Sequence, residues 1–170
     1  VNLSVKHNHN ALKHQRPSAL AQHCGFDKNS PTDQSYRKKY KKVTDTFLEQ
    51  AFNLKKGVIL FSELKEKNEL FINKTLYKPV CEIVSRFINL ISNNEVKSQF
   101  LFNFLVGNTN YFKVVLYNNH LVIKKFASLP KVDSLRATTV GDSYIELLFS
   151  NDWLIKMRLH TASSRLKGVS

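Results

Sequence analysis

Ser4 and Lys6, near the start of the chain, are residue types that suit chemistry on a phosphate. Residues 1–6 alternate apolar and polar side chains, the period of two expected of a half-buried strand. Ser4 and Lys6 would therefore project from the same strand face. A lysine beside a metal-activated water can orient the nucleophile and stabilise charge on the phosphate. A Ser-x-Lys triplet such as Ser4-Val5-Lys6 is common, however, and an exposed strand face is the simpler interpretation of the triplet alone.

A polar, basic run follows this strand. The residues of this run that could bind a ligand are His7, Asn8, His9, Lys13, His14 and Arg16. Two histidines two residues apart supply two metal ligands, whereas closed metal sites need three or four, so the run does not favour metal binding. Contact with phosphates or bases is the better functional interpretation. A solvated loop remains an open alternative.

A second basic pattern lies near the other end of the chain. Over residues 153–160, apolar side chains alternate with a row formed by Lys156, Arg158 and His160. A donor-rich loop of small residues follows, with Ser163, Ser164 and Arg165. A strand face with three basic groups suits a DNA-facing surface. An ordinary amphipathic strand whose basic side chains reach into solvent explains the pattern equally well.

A third basic group lies in a long helix predicted from about residue 33 to residue 54, with Thr32 or Asp33 as its cap. Its apolar stripe has spacings of three and four, and consists of Tyr36, Tyr40, Val43, Phe47, Ala51 and Leu54. Its first half carries Arg37, Lys38, Lys39, Lys41 and Lys42. Positive charge is unfavourable at a helix N-terminus, so the crowding indicates either an external anion, with Lys38 and Lys39 as contacts, or a solvated face.

Charge and composition set the class of partner. The 170 residues include 26 Lys and Arg against 13 Asp and Glu, a formal net charge of +13. This excess favours a polyanion, nucleic acid before an acidic membrane surface. Two cysteines cannot form a disulfide framework, which favours a reducing compartment. The apolar runs are far shorter than the roughly 20 residues that span a bilayer.

The pattern of elements predicts a mixed α+β fold within one domain. A motif strand over 1–8 and a basic loop with a short helix over 9–32 precede a helical region over 33–106. A β-rich region over 110–170 closes the chain, with hairpins at 111–126 and 144–159. The helix predicted over 95–106 would turn Val96, Phe100, Phe104 and Leu105 inward.

Several motifs together resemble one enzyme family. Residues 3–9 (LSVKHNH) with the Lys13, His14 and Arg16 that follow, and residues 153–165 (WLIKMRLHTASSR), are similar to long segments of the HaeIII-type type II restriction endonucleases. Shorter likenesses lie between them, at 77–84 (YKPVCEIV) and 104–115 (FLVGNTNYFKVV), in the same order. The resemblance covers about residues 3–165.

The resemblance implies a PD-(D/E)xK nuclease core, a central sheet flanked by helices, that hydrolyses double-stranded DNA at GGCC with Mg²⁺. It makes Lys6 the motif lysine and puts Ser4 where many relatives carry an acid. By the same resemblance, the residues that line the DNA cleft would be His7, Asn8, His9, Lys13, His14 and Arg16. The residues that match the family's C-terminal block would be Arg158, His160, Ser163 and Ser164. It also implies a cytosine methyltransferase as genetic partner in a restriction-modification system, a homodimer on the palindromic site and a location in the bacterial cytoplasm.

The sequence departs from this family pattern in its acids. The first metal-binding Asp is expected upstream of Val1, and Ser4 is a poor substitute for a carboxylate. Glu49 is a distant alternative ligand. We therefore expect no metal ligand set within these residues. We also expect the chain to be a piece of a longer enzyme, without that enzyme's last strands. The isolated chain is then expected not to cleave DNA. A non-catalytic basic module that binds nucleic acid is the alternative.

Overall fold

A computed structural model describes residues 16–54, 59–107, 111–116, 119–126, 130–159 and 165–166. Within these ranges the fold is mixed α+β, which confirms the predicted class. A helical middle leads into antiparallel strands near the end of the chain. The motif strand proposed over 1–8 lies outside the described residues. No helix in the described ranges is long and apolar enough to cross a membrane.

The first described element is a short 3-10 turn, Pro17–Ala19, which continues into helix α1, Leu20–His23. Gly25 ends this segment at a φ of +77°. A Cβ at Gly25 would lie 2.9 Å from the Phe100 ring, so the close approach as well as the backbone conformation requires glycine there. Helix α1 lies within residues 9–32, where the sequence predicted a short helix.

Helix α2, Pro31–Leu54, is the long basic helix. Its N-terminus differs from the prediction, because the Ser30 hydroxyl accepts from the Asp33 amide at 3.3 Å, the position of a cap. Asp33 is instead a buried carboxylate that accepts from the Asn29 amide at 2.8 Å. The predicted stripe is inward at Tyr36, Phe47 and Ala51, and half-buried at Tyr40 and Val43. Its last member, Leu54, is 56% exposed.

Three further helices follow in the described part of the chain. Helix α3, Phe61–Ile72, bends at Asn68 and leads through a π turn, Asn73–Tyr77, into helix α4, Lys78–Leu90. Helix α5, Glu95–Val106, begins at Asn94, whose side chain accepts from the Lys97 amide, and ends at Gly107.

The buried face of α5 agrees only in part with the prediction, since Leu105 is buried and Phe104 is half-buried against the core. Its buried apolar residues are Leu101, Phe102, Leu105 and Val106, whereas Val96 and Phe100 are 70% and 49% exposed. The helix is apolar on several sides of its C-terminal half, so spacing did not define a single stripe.

Among the described residues, the strands form three antiparallel sheets. Strand β1, Ile59–Leu60, pairs with β7, Arg165–Leu166, and β2, Tyr111–Leu116, pairs with β3, Leu121–Phe126. The third sheet has the order β4, Leu135–Val140, then β5, Tyr144–Phe149, then β6, Leu154–Arg158. Both predicted hairpins are confirmed, whereas β4 was not predicted.

The main core lies between the helices and the three-stranded sheet. Helix α4 packs against α2 on one side and against β4 and β5 on the other. Phe102 of α5 meets Phe149 and Trp153 edge-on, with ring centroids 5.0 and 5.3 Å apart. The sheet therefore buries one face and leaves the other free to present side chains to solvent.

Candidate nucleic-acid interface

Arg16 lies at the beginning of the described chain, next to the basic helix. Its backbone is extended and its side chain is exposed, immediately before the 3-10 turn. The Tyr36 hydroxyl of α2 donates to the Pro17 carbonyl at 2.7 Å. Burial raises the pKa of Tyr36 well above its usual range, so this hydroxyl keeps its proton and remains a donor. Arg16 therefore directly precedes a turn that is bonded to the first half of α2, the helix that carries Lys38 and Lys39.

The five basic residues in the first half of α2 fall into two groups. Arg37 pairs with Asp33 at 2.8 Å and also donates to the Asn29 side-chain oxygen, and Lys41 pairs with Asp45 at 2.6 Å. Both ion pairs are internal to the protein, and they neutralise part of the positive charge of the helix.

The remaining lysines of this group, Lys38, Lys39 and Lys42, are exposed and make no ion pair with another described residue. They define the exposed α2 lysines. Ammonium groups of this kind are free to contact phosphates without breaking an internal pair. Lys38 and Lys39 are therefore exposed and unpaired among the described residues, as a contact with DNA phosphates requires.

Strand β6 places Lys156 and Arg158 on the solvent face of the three-stranded sheet. Lys156 forms an ion pair of 3.0 Å with Glu146, which lies directly opposite on β5. Arg158 lies opposite Tyr144, with its guanidinium carbon 5.6 Å from the ring centroid. The alternation over this strand is confirmed, since Ile155 is buried and Lys156 and Arg158 are exposed.

The same face carries two residues that the sequence analysis did not single out, Arg136 on β4 and Tyr144 on β5. Arg136 is exposed between the buried Leu135 and Ala137. That alternation was the available signal, but it extends over very few residues and passes into two consecutive threonines, so it did not mark a strand. The basic face is consequently wider than the row on β6 alone.

Most of the remaining proposed site residues fall outside the described ranges. They are Ser4, Lys6, His7, Asn8, His9, Lys13, His14, His160, Ser163 and Ser164. Arg165 belongs to β7, where its backbone pairs with Leu60. Their roles remain predictions.

The described ranges do not fit a magnesium site. No three His, Cys, Asp or Glu side chains come together there in a way that could hold a metal ion. Glu49, the distant alternative, is exposed in the second half of α2. Both cysteines are buried, and burial raises the pKa of Cys24 to about 12 and that of Cys81 to about 11, so both thiols are protonated near neutral pH.

Comparison with known proteins defines the class. The model of the HaeIII restriction endonuclease family matches residues 1–131, which is more than half of the chain. The chain belongs to this family, whose members are type II restriction endonucleases with DNA as substrate. The family resemblance noted in the sequence is thereby confirmed. No curated protein and no solved structure gives a significant match.

Proposed function

We propose that this protein hydrolyses phosphodiester bonds of double-stranded DNA at GGCC in a Mg²⁺-dependent reaction. The observation that carries the proposal is the family match over residues 1–131, because it includes the whole Ser4–Arg16 segment. The exposed α2 lysines and Arg16 support it, since they provide positive charge next to the end of that segment. The described residues do not supply a magnesium ligand cluster.

Lys6 is the proposed catalytic side chain. Its ammonium group would stabilise negative charge as it develops on the scissile phosphate. Ser4, on the same strand face, would donate a hydrogen bond to the same phosphate or its water. Both roles follow from the position of these residues in the family pattern.

The neighbouring residues would hold the duplex. We assign phosphate or base contacts to His7, Asn8, His9, Lys13, His14 and Arg16, and phosphate contacts to Lys38 and Lys39. Near the other end of the chain, Lys156, Arg158, His160, Ser163, Ser164 and Arg165 complete the proposed set. Arginine suits guanine recognition because it pairs bidentately with O6 and N7.

The proposed biological setting is a bacterial restriction-modification system. A cytosine methyltransferase of the same specificity would protect the host DNA from cleavage. Because GGCC is palindromic, we propose that a homodimer acts on it, with one protomer at each strand.

A plasmid-cleavage assay tests the proposed function. The protein expressed from its complete gene should linearise a plasmid that carries a single GGCC site in MgCl₂ buffer. It should leave a matched plasmid with GCGC at that position intact, and EDTA should stop the reaction. Methylation of the GGCC cytosines should also protect the site. Equal cutting of both plasmids would contradict the specificity, and binding without any cutting would favour a non-catalytic DNA-binding module.

A further inference from the structure

We propose that the solvent face of the β4–β5–β6 sheet is a second contact surface for the DNA backbone, with Arg136 and Arg158 as its phosphate contacts. This inference rests on the proposed function, because it takes duplex DNA as the ligand. The sheet begins at Leu135, beyond the last residue of the family match. Arg158 already belongs to the proposed contact set, and Arg136 would add a contact on a second strand of the sheet.

The two faces of this sheet differ sharply. One face is core, with Ala137, Leu147 and Ile155 buried in successive strands. Side chains on neighbouring strands alternate in phase, because Arg136 lies opposite Leu148 and Leu148 lies opposite Leu154. The residues between the buried positions consequently share the solvent face.

The charge on the solvent face is positive after internal pairing. Glu146 is matched by Lys156 across β5 and β6, at 3.0 Å. Arg136 and Arg158 make no ion pair with an acid among the described residues. Two guanidinium groups are thus available for an external anion, and guanidinium binds phosphate bidentately.

Tyr144 supports one of these two groups. The Arg158 guanidinium carbon lies 5.6 Å from the Tyr144 ring centroid and the Lys156 nitrogen lies 5.1 Å from it. A cation over an aromatic ring is attracted to the ring's face. The ring therefore restrains the orientation of Arg158 and reduces the entropy that a phosphate contact would cost.

The spacing of the two arginines suits a duplex better than a small anion. They lie on the two outer strands, and their partners on β5, Leu148 and Tyr144, are four residues apart. Strand geometry gives a separation of about 16 Å between the two positions, from roughly 10 Å across the sheet and about 13 Å along it. One small anion cannot contact both groups, whereas a duplex carries a charge for each ~1.7 Å of its axis and presents separate phosphates to each.

Equilibrium binding without Mg²⁺ tests this surface. The double variant R136Q/R158Q and the unaltered protein would be titrated with a GGCC duplex and a matched GCGC duplex over a range of salt concentrations. The single variants R136Q and R158Q show whether both positions contribute. A control with the same type of change is Arg86→Gln on α4, whose side chain is 79% exposed and pairs with Glu82 on the same helix. Unfolding midpoints check that the variants keep their fold.

We expect the double variant to lose affinity for both duplexes by the same factor, because phosphate contacts carry no base information. The slope of log affinity against log salt should fall by about 2 in magnitude, one for each lost phosphate contact. R86Q should keep the original slope. The unaltered protein could bind and cut GGCC DNA while R136Q/R158Q keeps the affinity and salt slope of R86Q. That result would overturn the proposed contact surface on the sheet and leave the proposed function standing. If the unaltered protein binds no DNA, both fail.

Discussion

The Tyr36 hydroxyl donates a hydrogen bond of 2.7 Å to the Pro17 carbonyl, nineteen residues earlier in the chain. The bond joins the basic helix α2 to the turn that directly follows Arg16. The sequence predicts DNA contacts in two regions, the segment that ends at Arg16 and the lysines of α2. This hydrogen bond connects the two regions. The Tyr36 ring also packs against Phe87 of α4, with centroids 4.8 Å apart.

Tyr36→Phe removes this bond and leaves the aromatic packing in place. We expect the free energy of unfolding to fall by about 1 kcal/mol, the usual net worth of a hydrogen bond whose acceptor is left partly unsatisfied. Urea unfolding measures the change. Tyr40→Phe is the matched control, because the half-buried Tyr40 hydroxyl makes no hydrogen bond with a described residue. Equal destabilisation by both variants would contradict the account of Tyr36.

The Asn89 side chain makes the pair of hydrogen bonds with Ala137 that the backbone of a neighbouring strand would make. Its amide nitrogen donates to the Ala137 carbonyl and its oxygen accepts from the Ala137 amide, both at 2.9 Å. Asn89→Ala should cost about 2 kcal/mol, because both backbone groups of Ala137 lose their partner at the edge of β4. Chemical denaturation measures this cost. Asn93→Ala, at an exposed position, should be nearly neutral, and a neutral Asn89→Ala would refute the role given to this pair.

The fully buried Asp33 of α2 should be far more important for stability than the half-buried Asp45 on the same helix. Asp33 is fully buried and accepts from the Asn29 amide and from Arg37, both at 2.8 Å. Asp33→Ala should lower the free energy of unfolding by about 2–3 kcal/mol, since the amide and the guanidinium lose their acceptor.

Asp45→Ala provides the control for this comparison. Asp45 also pairs with a basic residue one turn away, Lys41, but on the exposed side of the helix. The expected loss is about 0.3–0.5 kcal/mol. The two variants would be compared in the same urea titration, and similar losses would contradict the distinction drawn from burial.

The buried thiols should make the protein less stable in alkali. Burial raises the pKa of Cys24 from 9.0 to about 12, against the opposing charge of Lys97, and burial raises that of Cys81 to about 11. A thiol whose pKa is higher in the folded state contributes its full stability below the unfolded pKa. That contribution is lost as the pH rises from about 9 towards 11 or 12.

We therefore expect the free energy of unfolding to be steady up to about pH 9 and to decline above it. Urea midpoints over this pH range measure the decline. A double variant with Cys24→Ala and Cys81→Ala should decline less steeply, because it has lost two of the groups responsible. An unchanged slope in that variant would show that the thiols do not cause the effect.

Helix positions were largely predictable because their signals are local. The Asn94 cap and Gly107 bracket helix α5, and Pro17 and Gly25 bracket the first short helical segment. Which face of α5 is buried was not predictable, since Phe102 and Phe100 lie on different sides of an apolar helix and only the sheet selects between them. Tertiary packing, not spacing, decided that point.

The wider basic face of the sheet depends on long-range pairing. Arg136 joins Arg158 because β4 and β6 both pair with β5, and no local pattern in either strand contains that information. The same holds for the contact of Tyr36 with Pro17. The role of Lys6, by contrast, rests on the family resemblance and stays a prediction, because this residue lies outside the described ranges.

The most direct test of the central claim is the single-turnover cleavage rate of a GGCC duplex by Lys6→Ala, measured with the protein from its complete gene. The proposed function predicts that this variant binds the duplex as tightly as the unaltered protein but does not cut it in Mg²⁺. Lys6→Arg, which keeps the charge, distinguishes a need for the compact ammonium group from a need for positive charge. Cleavage by Lys6→Ala at the unaltered rate would contradict the claim that Lys6 is the catalytic lysine.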